Sequence, residues 1–262
     1  MRAAIVIPAF NEARTIRDIA RRSLQQCDTV IVVDDGSTDG TGDAIKGLPV
    51  TLLRHEVNRG KAAALWTGFT SALAGGTDVV VTLDGDGQHR PEDIPLLIAA
   101  AHIYPHRLIV AARLRGRDKY PRARYFANRL ADFCVSWAAG HAVADSQSGQ
   151  RLYPAALLEG ISLRHDEKAA FTLESELIIE AARRGYTCVG VPILAIYDPA
   201  GRRSHFRPVR DIARIGWMIA LRLLGTGMNP SGLWRCLREP PCIADLAEGV
   251  GAERVEPVAE SA

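Results

Sequence analysis

The sequence predicts an α/β fold with a mostly parallel central sheet flanked by helices. Three observations carry that prediction. Short runs rich in Val, Ile and Leu lack polar alternation, as strands do when both sheet faces are covered. Helical segments separate the runs, and a β-α-β-α order implies parallel strands. Four polar motifs stand where apolar runs end, the edge at which open parallel sheets bind ligands.

The strands are expected at residues 3–8, 30–34, 50–53, 79–84 and 108–112. Helices are expected at 13–26, 41–46, 61–74 and 92–101. Asp39 or Thr41 can cap the second, and Pro91 suits the first turn of the fourth. Residues 113–120 are polar and basic and read as a mobile loop. Beyond them, 122–139, 173–184 and 208–224 are helical in pattern, 145–153 is a turn with a short strand, and 186–196 is extended. Residues 1–207 are read as a catalytic domain, 208–238 as an amphipathic helical extension, and 239–262, rich in Pro, Gly, Glu and Ala, as a flexible tail.

At 262 residues the chain suits one large domain of about 250 residues with an extension. A net charge of only +2 gives no reason to expect a nucleic-acid partner. The five cysteines are scattered without CxxC spacing, which argues against a disulfide framework or a zinc site. The first strand starts at once, with no secretory segment before it, and no run reaches the ~20 apolar residues of a spanning helix. A location in the cytoplasm or at the inner face of the cell membrane is the expectation.

The motifs carry the chemistry. The first run ends in Pro8-Ala9-Phe10-Asn11-Glu12, where Asn11 and Glu12 can either bind a nucleoside or cap the following helix. The second ends in Asp34-Asp35-Gly36-Ser37. A turn explains Gly36 and Ser37, but adjacent carboxylates repel unless they bind hydroxyls, an amide or a cation. Asn58-Arg59-Gly60-Lys61 opens a helix, an arrangement that can face a phosphate; alone, a surface lysine explains it as well. The strongest signal is Leu83-Asp84-Gly85-Asp86-Gly87-Gln88-His89. Alternate carboxylates can ligate one hard cation, and the glycines permit a diphosphate to approach.

In this order and spacing, PAFNEA, VVDDGSTDGT, NRGKAAAL and LDGDGQHRPED resemble glycosyltransferase family 2, which has the GT-A fold of nucleotide-diphospho-sugar transferases. The segment Asp145–Tyr153, with Ser204-His205-Phe206-Arg207-Pro208, is similar to the dolichyl- and polyprenyl-phosphate sugar synthase branch. The resemblance implies an inverting transferase using Mg2+ or Mn2+ and a nucleotide diphosphate sugar donor. Pro8, Ala9, Glu12 and Asp35 would line the nucleoside pocket with Lys61 and Asp84. Asp84 and Asp86 would hold the metal, with Gln88 as a third ligand. Glu174 would stand at the position of the base, beside Glu176. Arg113, Arg124, Arg151, Arg202 and Ser204 fall in segments that the resemblance assigns to the acceptor. Converging arginines suit a phosphate, so a polyprenyl phosphate or other lipid-linked acceptor is expected. His205 can bind the metal or the diphosphate, or be structural.

The helix at 208–224 mixes arginines with Ile, Leu and Trp217. It can lie in a membrane interface or pack on the domain. Two other functions compete. A nucleotidyltransferase would carry a Gly-rich basic loop after the first strand, which PAFNEA lacks. A non-catalytic nucleotide-sugar-binding protein would not need Asp84, Asp86 and Glu174.

Overall fold

In a computed structural model, the structure describes residues 1–116, 122–161, 173–196 and 208–246. Among the described residues there are seven strands: β1 (Ala3–Ala9), β2 (Val30–Asp34), β3 (Thr51–Arg54), β4 (Val79–Thr82), β5 (Leu108–Arg115), β6 (Arg151–Pro154) and β7 (Cys188–Leu194). They form one sheet in the order β3-β2-β1-β4-β6-β5-β7. Every pairing is parallel except those of β6, which runs antiparallel to β4 and β5.

Helices α1 (Ile16–Leu24), α2 (Thr41–Ala44), α3 (Lys61–Ala74) and α4 (Ile94–Ile103) alternate with the first five strands. Then come α5 (Arg122–Ala139), α6 (Ala155–Gly160), α7 (Leu173–Arg183), α8 (Pro208–Gly225) and α9 (Pro230–Arg238). The period-2 geometry of the strands sorts their side chains into two cores. Val6, Val33 and Val80 face Leu65 and Phe69 of α3, Val135 of α5 and Leu177 of α7. Ile5, Ile7 and Val81 face the other way, toward Ile16 and Ile19 of α1 and Leu97 of α4. This two-sided burial is why the strands read as continuous apolar runs.

Three departures from the expected pattern have physical causes. β4 stops at Thr82, and Leu83 keeps only one sheet-like bond, to the Val6 carbonyl at 3.1 Å, so Asp84 belongs to the turn. α6 falls outside the expected helices, since six residues are too few for helical periodicity to stand out. Residues 239–246 also differ from the expected loose tail. Gly190 donates to the Cys242 carbonyl at 2.8 Å, Ala244 donates back to Gly190 at 2.8 Å, and Ala244 is buried.

α8 does not stand apart as a separate extension. Ile215, Ile219 and Leu223, spaced by four, are buried in the same core as α3 and α7. All five cysteines are free thiols. Among the described residues, no helix is long and apolar enough to cross a membrane.

Candidate active site

In strand order the sheet runs 3-2-1 and then turns to 4, so the carboxyl ends of β1 and β4 flank the topological switch point, where open parallel sheets bind ligands. Both ends are polar, and contacts between loops bind them together. A methyl group at Gly85 would stand 3.2 Å from the Pro8 carbonyl oxygen, 3.5 Å from Glu12 Cγ and 3.7 Å from Ala9 Cβ. The Thr15 hydroxyl, at the start of α1, donates to the Gly85 carbonyl at 2.6 Å. The expected nucleoside residues Pro8, Ala9 and Glu12 therefore border the acidic turn after β4.

The two carboxylates after β2 diverge, which resolves their repulsion. Asp34 is fully buried and accepts the Ser37 N–H at 2.9 Å, closing the turn. Asp35 is 2% exposed and binds amides, one of the alternatives left open by the sequence. Its Oδ1 accepts the Arg59 N–H at 2.9 Å and its Oδ2 accepts the Gly60 N–H at 2.8 Å. His55 Nδ1 lies 2.7 Å from the same carboxylate, and His55 Nε2 lies 2.9 Å from the Thr67 hydroxyl. Asp35 is thus a brace under the first turn of α3, which carries Lys61. His55 went unnoticed in the sequence, because a single histidine after a short strand has no signature.

Lys61 is the centre of the charged cluster. Its Nζ lies 2.6 Å from Asp84 Oδ1 and 2.7 Å from Glu174 Oε1. The donor-side turn and the first turn of α7 therefore meet at one ammonium. Burial acts to discharge Lys61, but Asp84 and Glu174 outweigh it and hold the group protonated. Burial likewise acts to raise Asp84, and Lys61 outweighs it, so this carboxyl stays below the usual range. Asp86 is different. Its surroundings disfavour charge, the Asp84 carboxylate adds repulsion, and its carboxyl is raised. Gln88 sits beside it and donates its backbone N–H to Asp86 Oδ1 at 2.9 Å.

His89 is nearly fully buried, and burial pushes its pKa down to about 4, so the ring is neutral at pH 7. Its Nδ1 has no hydrogen-bond partner among the described residues. The sequence motif contained His89, but its lack of an obvious partner type hid its place inside the turn.

Of the expected arginines, the two with described side chains, Arg113 and Arg151, are both engaged within the protein. Arg113 Nε lies 2.7 Å from Asp145 Oδ2 and its Nη2 lies 2.7 Å from Oδ1, a buried bidentate pair. Arg151 is fully buried, a correction to its expected contact with the acceptor. Its guanidinium donates to the carbonyls of Ser148, Ser146 and Glu174. It braces the loop before β6 against the start of α7. The side chain of Arg124, together with Arg202, Ser204 and His205, lies outside the described residues.

The residues at the crevice fit a divalent cation in part. Asp84 and Asp86 supply hard oxygen donors with one residue between them; desolvation raises the Asp86 carboxyl, and the Asp84 charge adds a repulsion that a cation would relieve. Among the described residues, no three acidic, histidine or cysteine side chains form a metal cage by themselves. A site completed by diphosphate oxygens and waters does not need one.

The backbone around Asp84 is tight. A methyl group on Gly149 would stand 2.2 Å from Asp84 Oδ2 and 2.8 Å from its Cγ. We expect Gly149→Ala to push Asp84 away from Lys61 and lower transfer by roughly a hundredfold, the scale of losing one oriented charge in a site. The apo protein should melt at a lower temperature, because Lys61 loses one of its two partners, while the thermal shift from Mn2+ with nucleotide is lost. A normal shift would show that Asp84 does not need its present position.

An open sheet whose switch point is edged by an acidic turn, and by a lysine held between two carboxylates, fits a glycosyltransferase of the GT-A fold. The sequence profile described as Glycosyl transferase family 2 matches residues 4–145. The chain is 32% identical over 216 residues to the UDP-N-acetylglucosamine–dolichyl-phosphate N-acetylglucosaminyltransferase of Methanococcus voltae, covering 74% of this chain and 85% of that protein. It is 30% identical over 217 residues to the undecaprenyl-phosphate mannosyltransferase of Micrococcus luteus, covering 77% and 86%. The protein belongs to glycosyltransferase family 2. Its fold matches glucosyl-3-phosphoglycerate synthase from Mycobacterium tuberculosis, solved with Mn2+, uridine diphosphate and phosphoglyceric acid. The TM-score is 0.59 at 23% identity, covering 86% of this chain and 78% of that one. The same synthase was also crystallised with Mg2+ and uridine diphosphate.

Proposed function

We propose that this transferase moves a sugar, with inversion, from a nucleotide diphosphate donor to a polyprenyl phosphate at the inner face of the membrane. The observation that carries the reading is the shared contact of Lys61 with Asp84 and Glu174, which joins the donor turn to the acceptor side. The two relatives above are named for transfer to lipid phosphates, which supports the acceptor class.

Pro8, Ala9 and Glu12, with the Asp35-braced start of α3, line the nucleoside pocket. Asp84 and Asp86 hold Mg2+ or Mn2+, assisted by Gln88. The metal supplies Lewis-acid stabilisation of negative charge on the departing diphosphate. An acceptor phosphate oxygen attacks the anomeric carbon, and the bond from that carbon to the donor diphosphate breaks. The bonding pair leaves on the diphosphate oxygen, giving a nucleoside diphosphate and a glycosyl phosphodiester. Lys61 keeps its proton throughout and orients the acidic groups on either side. Glu174 faces the acceptor. A phosphate acceptor is already ionised at neutral pH and asks little of a base, whereas a hydroxyl would require one.

The test is a set of nucleotide diphosphate sugars with Mn2+ or Mg2+ and polyprenyl phosphate, with both products identified. Release of pyrophosphate would instead indicate nucleotidyl transfer. We expect Glu174→Gln to retain transfer to polyprenyl phosphate within about tenfold. A loss of more than about a hundredfold, with donor binding intact, would mean that a base is needed and that the acceptor is a hydroxyl.

A further inference from the structure

We propose that the outer face of α5, α8 and α9 docks the protein on an anionic lipid bilayer, a role that rests in part on the lipid-acceptor reading above. α8 has two apolar stripes. Ile215, Ile219 and Leu223 fill the core, while Trp217, Leu221 and Leu224 point outward. α5 adds Phe126 and Leu130, and α9 adds Trp234. These six side chains are each 51–68% exposed.

The stripes belong to one side of the molecule. α5 packs directly against both α8 and α9, and α5 and α8 seat their inner faces in the same core. Trp137 of α5 donates its Nε1–H to the Met228 carbonyl beyond α8 at 2.9 Å, and Asn229, the cap of α9, donates to the Trp137 carbonyl at 3.0 Å. The three helices therefore form one fixed layer. Scattered apolar side chains on a surface need no explanation, but a layer with a second stripe of Trp, Phe and Leu does.

Charge decides the occupant. The three helices contain eight arginines, no lysine and two aspartates, a formal +6 in a chain whose total is +2. Among the described side chains the helices offer Arg129, Arg222, Arg235 and Arg238, while Asp132 is bonded to Ser146, so a second copy would set like charge against like. Residues 247–262 carry four glutamates but only valines and alanines as apolar residues, too little to cover two tryptophans. A bilayer with anionic headgroups meets both demands. Tryptophan rings settle at the headgroup level, leucines enter the acyl boundary, and guanidinium groups bind phosphates bidentately. The Arg238 guanidinium already stacks 3.7 Å from the Trp234 ring centre, joining the two kinds of contact.

The face is also tied to the site. Asp132 of α5 accepts the Ser146 N–H at 2.7 Å and its hydroxyl at 2.8 Å. Arg151 donates to the carbonyls of Ser146 and Glu174, so α5, the acceptor loop and α7 move as a unit. A bilayer under α5 and α8 is thereby held at a fixed distance from Glu174.

The experiment uses the full chain and phosphatidylcholine vesicles with or without phosphatidylglycerol, none containing polyprenyl phosphate. We expect flotation with the anionic vesicles only, weakened by salt, with a blue shift of tryptophan emission. The double variant Trp217→Glu/Leu221→Glu should bind at least about tenfold less, while its thermal shift with Mn2+ and UDP or GDP equals that of the wild type. Absence of vesicle binding by the wild type, equal binding by the variant, or a wild-type dimer that the variant dissolves would each overturn the proposal. Transfer to a water-soluble short-chain prenyl phosphate, measured without vesicles, tests the acceptor reading separately. Transfer without vesicle binding would refute only the docking face, and vesicle binding without transfer only the acceptor.

Discussion

Asp86→Asn is expected to lower transfer by about a thousandfold, roughly 4 kcal/mol of transition-state stabilisation, without unfolding the protein. Two opposing effects decide this result. Asparagine keeps the shape of the side chain and can still accept the Gln88 N–H, so the turn survives. It loses the anionic oxygen that would bind the cation, and charge on the leaving diphosphate is then poorly matched. Stability should move the other way. Desolvation in the turn and repulsion from Asp84 raise its carboxyl in the folded protein, and because the residue is exposed the effect on stability is small. A raised folded-state carboxyl binds its proton more tightly than in the unfolded chain, so ionising it as pH rises destabilises the fold. Removing the charge should leave the apo melting temperature at pH 7 unchanged or slightly higher. Activity at pH 7 with Mn2+ and the apo melting curve check the two halves. Near-normal transfer would remove Asp86 from the metal site, and a large fall in melting temperature would make it a structural residue.

That pattern, function opposed to stability at one carboxylate, also explains what the sequence revealed. Strands in the first half were legible because two-sided burial leaves unbroken runs such as 30–34, and the acidic turn stood out because Asp84 and Asp86 interrupt an apolar edge. Local patterns report local demands. The roles of Asp35 and Arg151 depend on partners far along the chain, Gly60 at a separation of 25 residues and Glu174 at 23. Nothing in their own neighbourhoods distinguishes a carboxylate that binds a nucleoside from one that braces a helix. The arginine count after residue 113 suggested a phosphate site, yet Arg113 is paired with Asp145 and Arg151 is spent on carbonyls. The end of α8 was ambiguous for a related reason: its sequence holds two apolar stripes, and only packing shows which one the core uses.

Arg151→Met should reduce stability by about 3 kcal/mol and impair transfer while leaving metal–nucleotide binding nearly intact. Methionine fills similar volume and spares the cost of burying a charge, which favours the variant. Against that, three carbonyls lose their donor at once: Ser148 at 2.8 Å, Ser146 at 2.7 Å and Glu174. All three contacts lie around a fully buried side chain, so water cannot easily replace the guanidinium, and each orphaned acceptor costs about 1–3 kcal/mol. The loss wins, and at about 2–4 °C per kcal/mol the melting temperature should fall by roughly 6–12 °C. The functional effect follows from where the carbonyls sit. Glu174 begins its contact with Lys61 from a backbone that Arg151 holds, and the loop it braces sets Gly149 against Asp84, whereas Asp86 keeps its bond to the Gln88 N–H within its own turn. Transfer should therefore drop in kcat, with little change in donor KM or in the Mn2+-dependent thermal shift. Arg151→Lys separates geometry from charge: one ammonium retains the charge but cannot span three carbonyls as a planar fork does, so it should recover only part of both losses. If Arg151→Met melts normally, or if lysine restores everything, the guanidinium is not the brace between the acceptor loop and α7.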